Sequence, residues 1–97
     1  LIPVRKLGKL PAKTIRATYD LEYGEGVLEI HTDSLTRGQR VLLVDDVLAT
    51  GGTMQAVVAL VRHFEAQPIE VAFLAELTTL GGRAKLRDVP IFSLVQY

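Results

Sequence analysis

From Thr14 to Tyr23 the chain alternates. Ile15, Ala17, Tyr19, Leu21 and Tyr23 interleave with Thr14, Arg16, Thr18, Asp20 and Glu22. A period of two puts the two sets on opposite faces of a strand. Gly24-Glu25-Gly26 supplies a tight turn and Val27 to His31 returns as a second strand, which predicts a β-hairpin. Val41-Leu42-Leu43-Val44 is instead an unbroken apolar run. Such a run predicts a central parallel strand covered on both faces. Beyond it the period changes again: Met54, Val57, Val58, Val61 and Phe64 share one face of a helix spanning about Gly52 to Ala66, with Pro68 as its stop. Val71 to Ala75 reads as a second buried strand, Leu80 to Leu86 as a short helix, and Ile91 to Val95 as a last strand. Leu1 to Lys6 reads as a short strand, Leu7 to Pro11 as a loop, and Asp33 to Gln39 as a connector with room for one helical turn. Strand, helix, strand in this order predicts a βαβ unit with a right-handed crossover. The expected fold is α/β: a mostly parallel sheet with flanking helices, plus a β-hairpin flap.

Composition narrows the function classes. Eleven basic residues balance eleven acidic ones, which argues against a protein held on nucleic acid or a membrane by gross charge. There is no cysteine, hence no disulfide framework and no thiol nucleophile, and the composition suits the cytoplasm. The apolar runs are too short to span a membrane, and no signal peptide is visible. The 97 residues allow one domain or a piece of one. The first residue is Leu1, and with Ile2 and Val4 it reads as a strand already inside a core, as in a partial domain over 1–97; the plainer alternative is the trimmed terminus of a complete small domain. Apolar surface is then expected near Leu1 to Val4 and along the sheet.

The stretch with the most chemistry runs from Val41 to Thr53. A buried strand leads through Asp45 and Asp46 into a Gly/Thr loop and then a helix. Open α/β sheets bind ligands beyond the carboxyl ends of their strands. Two adjacent carboxylates at such an end can accept hydrogen bonds from the vicinal hydroxyls of a ribose. Ala49 to Thr53 lies at a helix N-terminus, where unpaired amides and the helix dipole favour a phosphate. Gly51 and Gly52 permit close backbone approach, and Thr50 and Thr53 add hydroxyl donors. No lysine follows the glycines, so this is not a Walker A loop. The plainer alternative is a turn followed by a threonine N-cap.

Val44-Asp45-Asp46 followed by Ala49-Thr50-Gly51-Gly52-Thr53 resembles the phosphoribosyl pyrophosphate (PRPP) motif of type I phosphoribosyltransferases. Three further stretches resemble the adenine phosphoribosyltransferase branch of that family: Val4 to Pro11, Leu21-Glu22-Tyr23-Gly24, and Phe92 to Tyr97. The resemblance covers nearly the whole chain. It implies that Ala49 to Thr53 hold a 5′-phosphate, that Asp45 and Asp46 contact ribose hydroxyls, and that Val47 packs on the adenine ring. For Val47 a core-packing role is the other reading. It implies Glu22 as general acid/base near the purine and Tyr23 as a cover over the site. A surface carboxylate is the other reading of Glu22. Arg5, Lys6 and Lys9 concentrate positive charge of the kind a pyrophosphate leaving group needs, or form a solvated basic loop. In the family, the lysine matching Lys9 reaches a neighbouring subunit's site.

The implied activity is purine salvage: adenine and PRPP give AMP and pyrophosphate. The implied cofactor is Mg2+, carried mainly on PRPP or pyrophosphate, and the implied assembly is a homodimer when full length, without nucleic acid or membrane. The N-terminal half that holds the family's base-recognition hood has no counterpart here, so weak or no activity is expected of these residues alone. Another purine phosphoribosyltransferase, or a regulator that senses PRPP without catalysis, would share the loop. His31 has no cysteine or second histidine near it at ligand spacing, His63 lies opposite the helix's apolar stripe and reads as exposed, and Glu76 and Arg83 read as surface or packing residues.

Overall fold

The computed structural model of the chain describes residues 2–6, 14–21, 24–31 and 34–97. The strands are β1 (Arg5–Lys6), β2 (Thr14–Leu21), β3 (Gly24–His31), β4 (Arg40–Leu48), β5 (Gln67–Glu76) and β6 (Ile91–Gln96), with one α-helix, α1 (Gly52–His63). Two 3-10 turns, Thr78–Leu80 and Gly82–Lys85, join β5 to β6. The strands form two sheets: an antiparallel one in the order β1-β3-β2, and a parallel one in the order β4-β5-β6. This is the α/β arrangement expected, with the hairpin as a separate sheet.

The alternating stretch does form a hairpin, with Leu21 paired to Gly24 and Thr14 to His31. The turn expected at Gly24 to Gly26 is not there: these residues already belong to β3. The hairpin packs its inner face on α1, where Leu28 and Ile30 are buried. The strand expected over Leu1 to Lys6 shrinks to Arg5–Lys6; Ile2 is exposed and Val4 half-buried. The loop expected at Leu7 to Pro11 lies outside the described residues. In the connector, Thr36 to Gln39 closes as a β-turn around Gly38, not a helical turn: the Gln39 amide donates to the Thr36 carbonyl at 3.1 Å.

Between the sheets, α1 buries Met54, Ala56, Val57, Val58, Leu60 and Val61. It ends at His63, three residues short of the Ala66 expected. Glu65 takes a left-handed conformation (φ 58°), and its carbonyl receives the Gly38 amide at 2.9 Å, so a backbone reversal ends the helix before Pro68 is reached. Pro68 instead lies within β5, which begins earlier than expected. The register passes from Val41–Pro68 to Leu42–Glu70 and skips Ile69, and a strand start with a bulge is where proline fits. The short helix expected over Leu80 to Leu86 is two 3-10 turns, divided by the left-handed Gly81.

One expectation for the parallel sheet fails. Leu43, Val71 and Ile91 form one row of the register and face α1. The next row, Val44, Ala72 and Phe92, faces away, and Val44 is 68% exposed and Phe92 53%. Leu42, Leu74 and Leu94 are open on the same side. Among the described residues β4 is therefore an edge strand covered on one face, where a central strand covered on both was expected, since α1 is the helical layer they place on this sheet. Exposed apolar surface along the sheet, the other expectation, is present.

Candidate functional site

The site begins where β4 and β5 end side by side. The Leu77 amide donates to the Leu48 carbonyl at 2.9 Å, so the two strand exits are tied together. After Leu48 the chain turns through Ala49 and Thr50 into Gly51, whose φ of 89° is a left-handed conformation. A residue with a Cβ pays for that geometry, and glycine does not. Gly51 is the N-cap of α1, with no side-chain cap hydrogen bond. The threonine N-cap alternative therefore fails. The first helical bond is Gln55 N–H to the Gly51 carbonyl at 2.9 Å. Among the described residues, the amides of Gly52, Thr53 and Met54 donate to no backbone carbonyl, as the first turn of a helix requires.

The start of α1 borders a concavity of about 230 Å³ lined by Asp45, Asp46, Val47, Ala49, Thr50, Gly51 and Thr53. Seven of the eight loop residues singled out by sequence thus meet at one hollow; Gly52 is buried behind it. Thr50 and Thr53 are exposed, with hydroxyls available to a ligand. Leu48, Met54 and Phe73 also line the hollow and were not foreseen as site residues. Leu48, Met54 and Phe73 are buried, and only the topology brings Phe73 of β5 under a loop that follows β4. Val47 is 42% exposed and lines the hollow, so its core-packing reading is overturned.

The two acids stand at the rim. Asp45 Oδ1 accepts from the Asp46 amide at 2.8 Å, and Asp46 Oδ1 accepts from the Val47 amide at 2.7 Å. Each carboxylate is oriented through one oxygen by the amide that follows it. Burial pushes the Asp45 carboxyl above the usual aspartate range. The bond from the Asp46 amide pulls it back down, and the Asp46 side chain pushes it up again. The same two acids border a larger open groove of about 1160 Å³, walled by Val4, Leu28, Ile30 and Leu43. Among the described residues no three acidic or imidazole groups converge. The donor set for a divalent ion at the rim is the pair Asp45 and Asp46, which suits an ion that takes its other ligands from substrate oxygens and water.

Arg5 and Lys6 form β1 and pair with Glu29 and Leu28. Lys9, Glu22 and Tyr23 lie outside the described residues. His63 is exposed, edge-on to Phe64 at 5.7 Å. Glu76 is not the surface or plain packing residue expected. It is 4% exposed, the one buried charged residue among those described, and Arg83 and Ser93 hydrogen-bond to it. Glu76 ends β5 and Arg83 lies in the separate 3-10 turn Gly82–Lys85, so the two share no element and nothing in the sequence signalled the pair.

Comparison with known proteins agrees with this geometry. The chain is 56% identical over 97 residues to an adenine phosphoribosyltransferase of Geobacter metallireducens, covering all of this chain and 57% of that protein. It superposes on the crystal structure of adenine phosphoribosyltransferase from Thermoanaerobacter pseudethanolicus with a TM-score of 0.96 at 51% identity, over 99% of this chain and 56% of that one. Adenine phosphoribosyltransferase from Trypanosoma brucei, solved in complex with AMP, pyrophosphate and ribose-5-phosphate, gives a TM-score of 0.88 at 34% identity, over 98% of this chain and 45% of that one. The chain therefore spans about half the length of the relatives it matches. The phosphoribosyl transferase domain family matches residues 8–93, and this chain belongs to it.

Proposed function

We propose that the chain carries the sugar-phosphate half of an adenine phosphoribosyltransferase of purine salvage. The observation that supports this most directly is the hollow itself. Free first-turn amides, two threonine hydroxyls and two oriented carboxylates surround a space of about 230 Å³. In this reading the 5′-phosphate of PRPP sits on the amides of Gly51 to Met54, where the helix dipole favours an anion. Thr50 and Thr53 donate to its oxygens. The outward oxygens of Asp45 and Asp46 accept from the ribose 2′- and 3′-hydroxyls, which fixes the sugar by two points besides the phosphate. Val47 offers an apolar edge to the base.

The reaction breaks the bond from C1′ to pyrophosphate and forms one from C1′ to adenine N9, whose proton departs. Positive charge develops on the ribose ring and negative charge on the leaving pyrophosphate. The acids near the diol would steady the first, and Arg5, Lys6 and Lys9 the second. Glu22 is assigned the proton transfer at the base and Tyr23 the covering of the site, both from the family motif they match. Mg2+, when bound, would neutralise pyrophosphate oxygens, with Asp45 and Asp46 reaching its water ligands. AMP and pyrophosphate as products, a homodimer and a cytoplasmic setting belong to the same proposal.

The test is titration of the 15N-labelled chain with ribose 5-phosphate. Saturable shifts concentrated at the amides of Thr50 to Met54 are expected. Shifts spread evenly over the chain, or none, would remove the cradle and the proposal with it. In the corresponding longer protein, Glu22→Ala is expected to lower AMP formation while ribose 5-phosphate binding persists.

A further inference from the structure

Glu76 and Arg83 have no part in the chemistry above, yet they make the most tightly bonded side-chain cluster among the described residues. Glu76 ends β5. Arg83 Nε donates to its Oε2 at 2.8 Å and Arg83 Nη2 to its Oε1 at 2.9 Å, a two-pronged contact, while Ser93 Oγ of β6 donates to Oε1 at 2.7 Å. An exposed ion pair contributes little, but here the carboxylate is covered and three donors converge on it.

Arg83 follows Gly82, and Gly82 is where the segment after β5 meets the phosphate loop. A Cβ on Gly82 would lie 2.5 Å from the Ala49 carbonyl oxygen and 2.7 Å from Leu48 Cδ1. From the opposite side, a Cβ on Gly51 would lie 2.6 Å from the Gly82 carbonyl oxygen. Two stretches of bare backbone are therefore in contact at two points. Glycine has no side chain with which to hold such a contact closed, and Gly81 just before it takes a left-handed turn (φ 64°). Two side chains tie the turn down: Leu86, buried in the core, at its far end, and Arg83, bonded to Glu76, next to Gly82.

We infer that Glu76 and Arg83 are positioning residues for the phosphate loop. Their ion pair holds the Gly82 backbone against Ala49 and Gly51, and so sets the aim of the first-turn amides of α1. The chain of contacts runs from Ser93 through Glu76 and Arg83 to Gly82, and from there to the loop. This inference rests on the reading of that loop as a sugar-phosphate cradle.

The experiment measures ribose 5-phosphate affinity and free-state amide shifts for the whole chain and for Glu76→Gln, Arg83→Lys and Gly82→Ala. Val71→Ala, a truncation in mid-β5, serves as a variant of comparable stability loss. At metal sites, removing the outer support of a ligand typically costs about tenfold or more in affinity, and a supported phosphate cradle is expected to respond on the same scale. Glu76→Gln and Gly82→Ala are expected to weaken binding by about that factor and to move the free-state amides of Ala49 to Gly52. Arg83→Lys, which keeps the charge and loses the fork, should fall between them and the parent chain, and Val71→Ala should bind as the parent does. If Glu76→Gln does not fold, Arg83→Lys alone decides, since that side chain is about half exposed and its replacement leaves the core intact. Parent-like affinity in Arg83→Lys and in every folded variant overturns the positioning role and leaves the cradle standing. Affinity that tracks stability alone, with Val71→Ala as weak as the others, overturns it too. No binding by the parent chain removes the cradle reading and this inference together.

Discussion

Gly51 and Gly82 face each other through backbone alone, with the Gly82 carbonyl oxygen 2.6 Å from where a Gly51 Cβ would stand. Gly51 also has φ 89°. Gly51→Ala therefore meets two penalties at once: a left-handed conformation costing about 1–2 kcal/mol for a residue with a Cβ, and a clash that only backbone movement relieves. A total loss of roughly 2–4 kcal/mol in urea unfolding is expected. Ribose 5-phosphate binding should fall further than stability, because the shifted backbone is the binding surface. A variant as stable as the parent would show that the loop relaxes freely at this point.

Gly51 also marks how much could be read from the chain. Its place in Asp45-Asp46 to Gly51-Gly52-Thr53 was legible, since an apolar strand, an acid pair and a helix start follow one another within a few residues. Local order of that kind survives folding, and all of those residues but Gly52 line one hollow. Gly82, Glu76 and Arg83 were not legible, because Gly82 meets Leu48, Ala49 and Gly51 more than 30 residues back along the chain, and Glu76 is held by groups from two other segments, Arg83 and Ser93. The covering of β4 was misread for a related reason. An unbroken apolar run says that both faces avoid water in the finished protein, but not which segments cover them. The end of α1 was missed because Glu65, not a glycine, takes the left-handed position.

Asp45 poses a conflict between stability and binding. Burial first, and the neighbouring Asp46 side chain after it, hold its proton more tightly than usual, so its ionised form is disfavoured by folding. Asp45→Asn removes that charge and is expected to unfold at higher urea at neutral pH. The same change replaces a charged acceptor at the diol with a weaker one, at a cost of about tenfold in ribose 5-phosphate affinity. Opposite movement of the two quantities is the signature of a site residue. A gain or loss in both together would mean that Asp45 serves packing alone.

The two faces of the parallel sheet should respond differently to truncation. Leu60, 2% exposed in the middle of α1, is surrounded by core, and Leu60→Ala is expected to cost about 2–5 kcal/mol. That is a large share of the roughly 5–15 kcal/mol a domain of this size possesses, so the variant should be partly unfolded at room temperature. Val44→Thr and Leu94→Thr, on the open face, should change stability by no more than about 0.5 kcal/mol. They should instead reduce concentration-dependent association seen by light scattering, since they break the apolar surface made with Leu42, Leu74 and Phe92. A large stability loss in Val44→Thr would show that the open face is covered in solution.

Acid titration separates the two perturbed carboxylates by sign. The Arg83 guanidinium first, and the Ser93 hydroxyl second, hold the Glu76 carboxyl below the usual glutamate range, against a smaller opposing effect of burial. Because its folded-state value is depressed, the stability it contributes is complete above the unfolded value of about 4.3 and is lost as pH falls through the folded value beneath it. Asp45 runs the other way. Its folded-state value is raised, so its contribution is complete below the unfolded value of about 3.9 and is lost as pH rises through the folded value above it. The stability difference between the parent chain and Glu76→Gln should hold steady at neutral pH and shrink on acidification below about pH 4.3. The difference between the parent and Asp45→Asn should shrink over the same acidification from the opposite sign, the variant being the more stable at neutral pH. Urea unfolding at a series of pH values measures both. A parent-to-Glu76→Gln gap that does not close in acid would mean that Arg83 contributes packing rather than charge. The loop's anchor would then be a matter of shape alone.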